Sequence, residues 1–272
     1  MDTRARATAG RSALICHADE PLNRFGLARW LASFTDLVAL VVIHEPQARF
    51  KQRVKREIKR VGRLRFLDVV AFRVWYRLFH AARDRAWEAA LVRDLERRFT
   101  ELPAGTRILD VESPNSPEVA KLLAEVQPDF MVARCKNILK ESIFGAPRKG
   151  TFVMHPGVCP EYRNAHGCFW ALANRDTRKV GMTLLRVDPG VDTGPVLGYY
   201  SYPYDEVNES HTVIQSRVVF DNLDALKQKL LDVLEDRWTP VDTSGRASRA
   251  WGQPWLTRYF RWKRAARRSA SA

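Results

Sequence analysis

The chain predicts an α/β fold: a mostly parallel sheet flanked by helices, with a helical insertion and a basic C-terminal tail. Three observations carry this. Short, β-branched apolar runs without alternation recur, such as LVALVVI at residues 37–43. Such runs suit strands buried on both faces. Helical patterns separate most of them, which is the rhythm of βαβ units. The length of 272 residues and the 46% hydrophobic content allow a sizeable core and exclude global disorder.

Residues 1–11 read as an arm. Residues 13–16 and 37–43 read as strands, with a helix at 23–33 between them. The turn after the first strand, His17-Ala18-Asp19-Glu20-Pro21-Leu22-Asn23, has no glycine. The dinucleotide fingerprint, whose glycines let backbone approach a pyrophosphate, is therefore absent. Residues 47–99 break the alternation and read as all-helical. Within them Phe66, Val69, Val70, Val74, Leu78 and Phe79 recur at helical spacing. That spacing predicts a core-facing helix whose neighbours Arg65, Arg73 and Arg77 snorkel to water.

The alternation then resumes. Strands are expected at 107–111, 130–133, 151–155, 180–187 and 195–202, and helices at 117–126, 140–144 and 165–174. Residues 208–235 read as one long closing helix with Asn208 as its N-cap. The expected organisation is an α/β domain over 12–236, with 47–99 inserted, and a loop and basic tail over 237–272.

The formal net charge is +14, from 45 Lys+Arg against 31 Asp+Glu. It is concentrated. Residues 51–65 hold eight basic residues and one acid, and residues 258–268 hold six basic residues and none. Such a balance suits polyanions: nucleic acid, phosphorylated small molecules or an anionic membrane surface. Cys16, Cys135, Cys159 and Cys168 form no C-x-x-C pair. They read as free thiols, with neither a disulfide framework nor a metal site expected. The longest apolar run near the N-terminus is four residues, which fits neither a signal peptide nor a membrane span. A cytoplasmic protein, able to sit at a membrane periphery, is the expectation.

The chemistry concentrates in His155-Pro156-Gly157-Val158-Cys159-Pro160-Glu161-Tyr162-Arg163 and, 37 residues after the histidine, in Asp192-Thr193-Gly194-Pro195. His155 leaves a predicted strand at its carboxyl end, where open α/β sheets place their ligands. The strand at 180–187 delivers the loop 188–194 in the same way. A histidine beside an aspartate can orient a ring, hold a proton and stabilise a developing oxyanion. Taken alone, His155 also fits a structural histidine closing a strand, and Asp192 a turn-forming aspartate.

The stretch resembles the folate-dependent formyltransferase family. The residues that carry the likeness are His155, Pro156, Pro160, Tyr162, Arg163, Trp170, Ala171, Gly181, Thr183, Gly190, Asp192, Thr193, Gly194 and Pro195. The likeness covers roughly residues 117–200 and is absent over the insertion and the tail. It implies a Rossmann-like sheet and transfer of a formyl group from 10-formyltetrahydrofolate to an amine. It implies that His155 polarises the formyl carbonyl and that Asp192 keeps His155 charged and helps move the proton. It implies a donor pocket lined by Arg134, Cys135, Lys136 and Asn137 and by the 188–194 loop, with Asp188, Gly190 and Thr193.

The chain departs from the family pattern at four places. The catalytic Asn two residues before the histidine is Val153. The glycine after Tyr-Arg is Asn164. His166 stands where a small residue is usual, and Gly157-Val158-Cys159 replaces Ser-Leu-Leu. Asn164, His166 and Asn137 are the candidates to supply what Val153 lacks. The acceptor that suits the basic segments is an amino sugar on a nucleotide or lipid carrier. Nucleic acid is disfavoured, methionyl-tRNA included, because no second folded domain of adequate length follows residue 240. Hydrolysis of the formyl-folate is the alternative reaction. A catalytically silent domain that binds folate or a polyanion is the alternative of another class.

Overall fold

The computed structural model describes residues 9–271, and the side chains of all of these except 47–51. Most of the expected arm, residues 1–8, and the side chain of Lys51 in the first basic run lie outside the described residues. The chain forms two compact units. One comprises Met1–Glu45, Ala90–Val153 and Asp224–Thr239. The other comprises Pro46–Ala89, Met154–Leu223 and Pro240–Ala272.

The first unit holds β1 (Arg11–His17), β2 (Asp36–Ile43), β3 (Arg107–Val111), β4 (Phe130–Arg134) and all but the end of β5 (Gly150–His155). These strands are parallel, in the order β3-β2-β1-β4-β5. This is the doubly wound, Rossmann-like arrangement the alternation predicts. Its register places Ile15 beside Val41 and Ala133. Those three side chains join Val119, Leu123 and Met131 in one buried core. The helix α5 (Pro117–Val126) starts at Pro117, whose missing N–H costs a helix nothing at its first position. It stops at Gln127, which is left-handed at φ 43°. α6 (Glu141–Phe144) adds Ile143 to the same core, and α9 (Leu223–Leu234) buries Leu226, Leu230 and Val233.

The expected helix at 23–33 opens instead as a π-helical turn, Leu22–Leu27, and only then becomes α1 (Ala28–Ala32). The Ala28 N–H reaches back five residues to the Asn23 carbonyl. Buried Asn23 in turn donates to Glu20 at 2.7 Å and accepts from Arg134 Nε at 3.1 Å.

The second unit begins with the insertion, which is helical as expected: α2 (Gln47–Val61), α3 (Arg63–Phe79) and α4 (Ala81–Arg98), whose later turns belong to the first unit. Gly62, at φ 80°, makes the corner between α2 and α3. The apolar row read as core is mostly exposed. Of that row only Val69 is buried, whereas Val70, Val74, Leu78 and Phe79 are 40%, 54%, 70% and 66% exposed. The cause is rotational. The packed row is Val69, Phe72 and Tyr76, and Phe72 meets Phe169, His211 and Tyr259 at ring distances of 5.7, 5.2 and 5.6 Å. Val70, Val74 and Leu78 of the expected row therefore point away.

The rest of this unit comprises β6 (Arg163–Asn164), α7 (Gly167–Ala173), the antiparallel pair β7 (Met182–Arg186) and β8 (Val196–Tyr200), α8 (His211–Phe220), β9 (Ala250–Trp251) and α10 (Leu256–Ala270). The single closing helix expected at 208–235 is two helices, α8 and α9, broken at Asp221–Asn222. The cap of α8 is Ser210, whose Oγ accepts from the Val213 N–H at 3.1 Å. Asn208 is held one turn earlier, by Asp205 at 2.7 Å. The basic tail is not loose. Along α10, Tyr259, Trp262, Lys263 and Ala266 are buried.

Candidate active site

The second unit brings His155 and Asp192 together. His155 Nδ1 lies 3.5 Å from Asp192 Oδ2, and both side chains are largely buried. His155 Nε2 lies 2.8 Å from the carbonyl oxygen of Tyr162. A carbonyl only accepts, so Nε2 carries a hydrogen. Asp192 is itself held: its Oδ2 accepts from the Asn164 N–H at 2.7 Å. The ring is thus fixed on both nitrogens, by a backbone oxygen and by an anchored carboxylate.

The loop between the two residues is built by side chains that the motif supplies. Thr183 on β7 accepts from the Cys159 N–H at 2.9 Å and donates to the Gly157 carbonyl at 2.7 Å. Tyr199 on β8 donates to the Cys159 carbonyl at 2.7 Å. Glycine is required at 157. A β-carbon there would lie 2.7 Å from His155 Nε2 and closer still to the Tyr162 carbonyl oxygen. In the second loop, Asp188 accepts from the Gly190 N–H at 3.0 Å and from the Thr193 hydroxyl at 2.8 Å. A β-carbon at 190 would collide with that hydroxyl.

Sequence reasoning did not find the C-terminal clamp. β9 pairs with β6. Trp251 stacks on Trp170 at 4.7 Å and on Tyr162 at 5.7 Å, and its Nε1 donates to the Glu161 carbonyl at 2.8 Å. Arg246 binds the Glu161 carboxylate, at 2.7 Å from one nitrogen and 3.1 Å from another. The Glu161 carboxyl is thereby held below its ordinary range, although its burial alone would raise it. The one available signal was the pair of tryptophans in a polar segment, read as a loop.

Asn164 and His166 sit at left-handed positions, φ 75° and 55°. The Asn164 amide donates to the Trp251 carbonyl. The His166 ring is 5.9 Å from that of His211. His211 is buried, and burial first, then the charge that His166, His80 and Lys263 can carry, hold it well below the ordinary histidine range.

Arg134 ends β4, and Cys135, Lys136 and Asn137 follow it, all in the first unit. The Lys136 N–H donates to His17 Nε2 at 3.0 Å, and its ammonium pairs with Glu20 at 2.8 Å. Asn137 Oδ1 is buried with no hydrogen-bond partner among the described residues. Burial pushes the Cys135 thiol up to about 11 and those of Cys16, Cys159 and Cys168 up to about 12. All four cysteines are free, and none is a ready thiolate. No group of three or more metal-ligating side chains occurs among the described residues. No helix of the described residues is long and apolar enough to cross a membrane.

A family model described as "Formyl transferase" matches residues 84–230, more than half of the chain. The chain belongs to the formyl transferase family. Within this family it is 32% identical over 169 residues to a methionyl-tRNA formyltransferase of Chlorobium luteolum, covering 61% of this chain and 52% of that protein. A second methionyl-tRNA formyltransferase, of Caldanaerobacter subterraneus subsp. tengcongensis, is 30% identical over 166 residues, covering 56% and 53%. The chain thus spans about half the length of these curated relatives. Among solved formyl transferases, glycinamide ribonucleotide transformylase 1 of Symbiobacterium toebii shares the fold, with a TM-score of 0.53 at 14% identity over 88% of this chain and 93% of that one. A 4-N formyltransferase of Francisella tularensis does so with a TM-score of 0.52 at 10% identity over 95% and 88%. The matched residues 84–230 include His155, Asp192 and Thr183 but stop short of the β9 clamp and α10.

Proposed function

We propose that the chain transfers a formyl group from 10-formyltetrahydrofolate to an amine, with residues 12–236 as its catalytic domain and 237–272 as an appendage. The observation that supports this is the buried His155 ring, held between the Tyr162 carbonyl and Asp192 at the end of β5. In this reading His155 faces the formyl carbonyl and stabilises the tetrahedral oxyanion as the amine adds. Asp192, held by the Asn164 N–H, orients the ring and takes part in removing the proton from the attacking nitrogen. The formyl C–N bond to the folate then breaks, and that nitrogen takes up the proton.

The residues present suit the donor. Asn137 offers a buried carboxamide oxygen that lacks a donor, as an N–H of the pterin would supply. Asp188, Gly190 and Thr193 hold the 188–194 loop in shape, and Arg134, Cys135 and Lys136 are further residues proposed to bind the donor. Val153 leaves one oxyanion donor unsupplied, and Asn164, His166 and Asn137 are the residues proposed to make up the loss.

The proposed acceptor is a small amine, an amino sugar on a phosphorylated carrier, at a cytoplasmic or membrane-peripheral location. Methionyl-tRNA is the second reading, and the names of the curated relatives favour it. The test is consumption of 10-formyltetrahydrofolate with a nucleotide-linked amino sugar, with methionyl-tRNA, and with neither. Turnover dependent on the sugar supports the proposal. Turnover dependent on the tRNA selects the second reading, and turnover with neither identifies a hydrolase.

A further inference from the structure

We propose that the cleft beside α10 binds the phosphate of a ligand with an aromatic or apolar body. The cavity has a volume of about 650 Å³ and lies within the second unit. That volume suits a drug-sized ligand. The site stands whether or not the chain transfers a formyl group, because none of its lining residues belongs to the loops around His155 and Asp192.

One wall is aromatic. Trp75 packs on Tyr259 at 4.6 Å and on Phe260 at 5.3 Å, and Phe260 remains 46% exposed. The cleft is also cationic: Arg83, Lys263, Arg264, Arg267 and Arg268 line it, and no carboxylate does. The cations divide into two sets. Arg83 donates to the Asn208 carbonyl at 2.9 Å, and Lys263 donates to the carbonyls of Glu206, Val207 and Glu209 at 2.7, 3.1 and 2.6 Å. These two are fixed in place. Arg264, Arg267 and Arg268 stand at i, i+3 and i+4 on one face of α10. None of the three has a carboxylate partner among the described residues. The nearby acids are already engaged: Asp84 accepts from Tyr76 and Ser210 and lies 3.7 Å from Arg83, and Glu206 pairs with Arg175 and accepts from Trp262.

Like charges gathered beside a buried lysine repel one another. Burial and the fields of Arg83 and Arg267 already push Lys263 down to about 8. A phosphate removes that repulsion, and guanidinium forks grip its oxygens two at a time. Trp75 and Phe260 then meet the remainder of the ligand, by stacking on a base or by contact with a lipid chain. The shared chemistry is phosphate beside an apolar group, and the source is either a soluble nucleotide or a lipid headgroup.

The full chain is tested with two probes. Uridine diphosphate is titrated by calorimetry, and phosphatidylglycerol vesicles are compared with phosphatidylcholine vesicles by cosedimentation. Binding of either anionic probe is expected, and Arg264→Glu/Arg267→Glu is expected to weaken it at least about tenfold. Phe260→Ala is expected to weaken it severalfold. The diphosphate responding alone identifies a soluble ligand, and the vesicles responding alone identify a lipid headgroup. Arg93→Glu/Arg97→Glu makes the same charge change elsewhere and is expected to retain binding. Failure of both probes to bind, or equal loss in the two double variants, overturns the proposal.

Discussion

Two parts of the second unit treat their polar groups in opposite ways. Around His155, each nitrogen of the ring, the aspartate beside it and the loop carbonyls at Gly157 and Cys159 have partners. Along α10, three guanidinium groups face a cleft with no carboxylate in its walls. The first is a site fixed before any ligand arrives, where the positions of acid and base matter more than their number. The second is a store of charge whose partner must come from outside. In the proposed reading, polar groups held by the fold mark the place for chemistry, and exposed cations without a carboxylate partner mark the place for binding.

The sharpest way to break this contrast is to remove the fixed ring. His155→Ala is expected to lower formyl transfer by at least about a hundred- to a thousandfold with the far-ultraviolet dichroism unchanged. Near-normal turnover would remove His155 from the site. Gly157→Ala places a β-carbon 2.7 Å from His155 Nε2 and should push the ring aside. Here kcat is expected to fall on the order of tenfold or more while KM for the donor changes little. An equal rise in KM would mean that the loop binds the donor and does not position the ring.

Next comes the clamp. Trp251→Ala removes the stacks on Trp170 and Tyr162 and the hydrogen bond to Glu161. A loss of about 2–4 kcal/mol is expected from denaturant unfolding, together with reduced kcat in the folded fraction. Unchanged stability would show that β9 rests on the loop without holding it.

The smallest expected effect concerns pH. His211 is held well below its ordinary value of 6.5 by burial and by the charge its neighbours can carry, and His80 is lowered in the same direction. The folded pKa lies below the unfolded one. The stability from burying these rings neutral is therefore complete above about pH 6.5 and drains away as pH falls towards the folded values. His211→Phe should flatten the fall of Tm between about pH 7 and pH 5. A slope equal to the parent's would show that His211 contributes nothing to it.

The strand-rich part of the fold was legible because buried parallel strands leave a strong local signal. Residues 37–43 lie within β2, which is buried from Leu37 to Ile43, and residues 117–126 appear as α5 with those bounds. The His155–Asp192 pair was legible from Pro, Gly and Thr at fixed offsets, since those residues shape the loops that bring the two together. Rotation about a helix axis was not legible. The apolar row of α3 gave its helical period, but the packed face was chosen by Phe169, His211 and Tyr259, which are distant in sequence. The break between α8 and α9 was hidden because Asp221 and Asn222 interrupt a pattern that stays apolar on either side. The β9 clamp was hidden for a related reason: a two-residue pairing leaves no periodicity to read.

The most direct measurement is a time course of 10-formyltetrahydrofolate consumption by the parent chain and by His155→Ala, each with and without an amine acceptor. Consumption by the parent only with acceptor, and by His155→Ala at most at about a hundredth of that rate, is the expected result. Acceptor-dependent consumption that survives the substitution would contradict the assignment of His155 as the group that stabilises the transferred formyl.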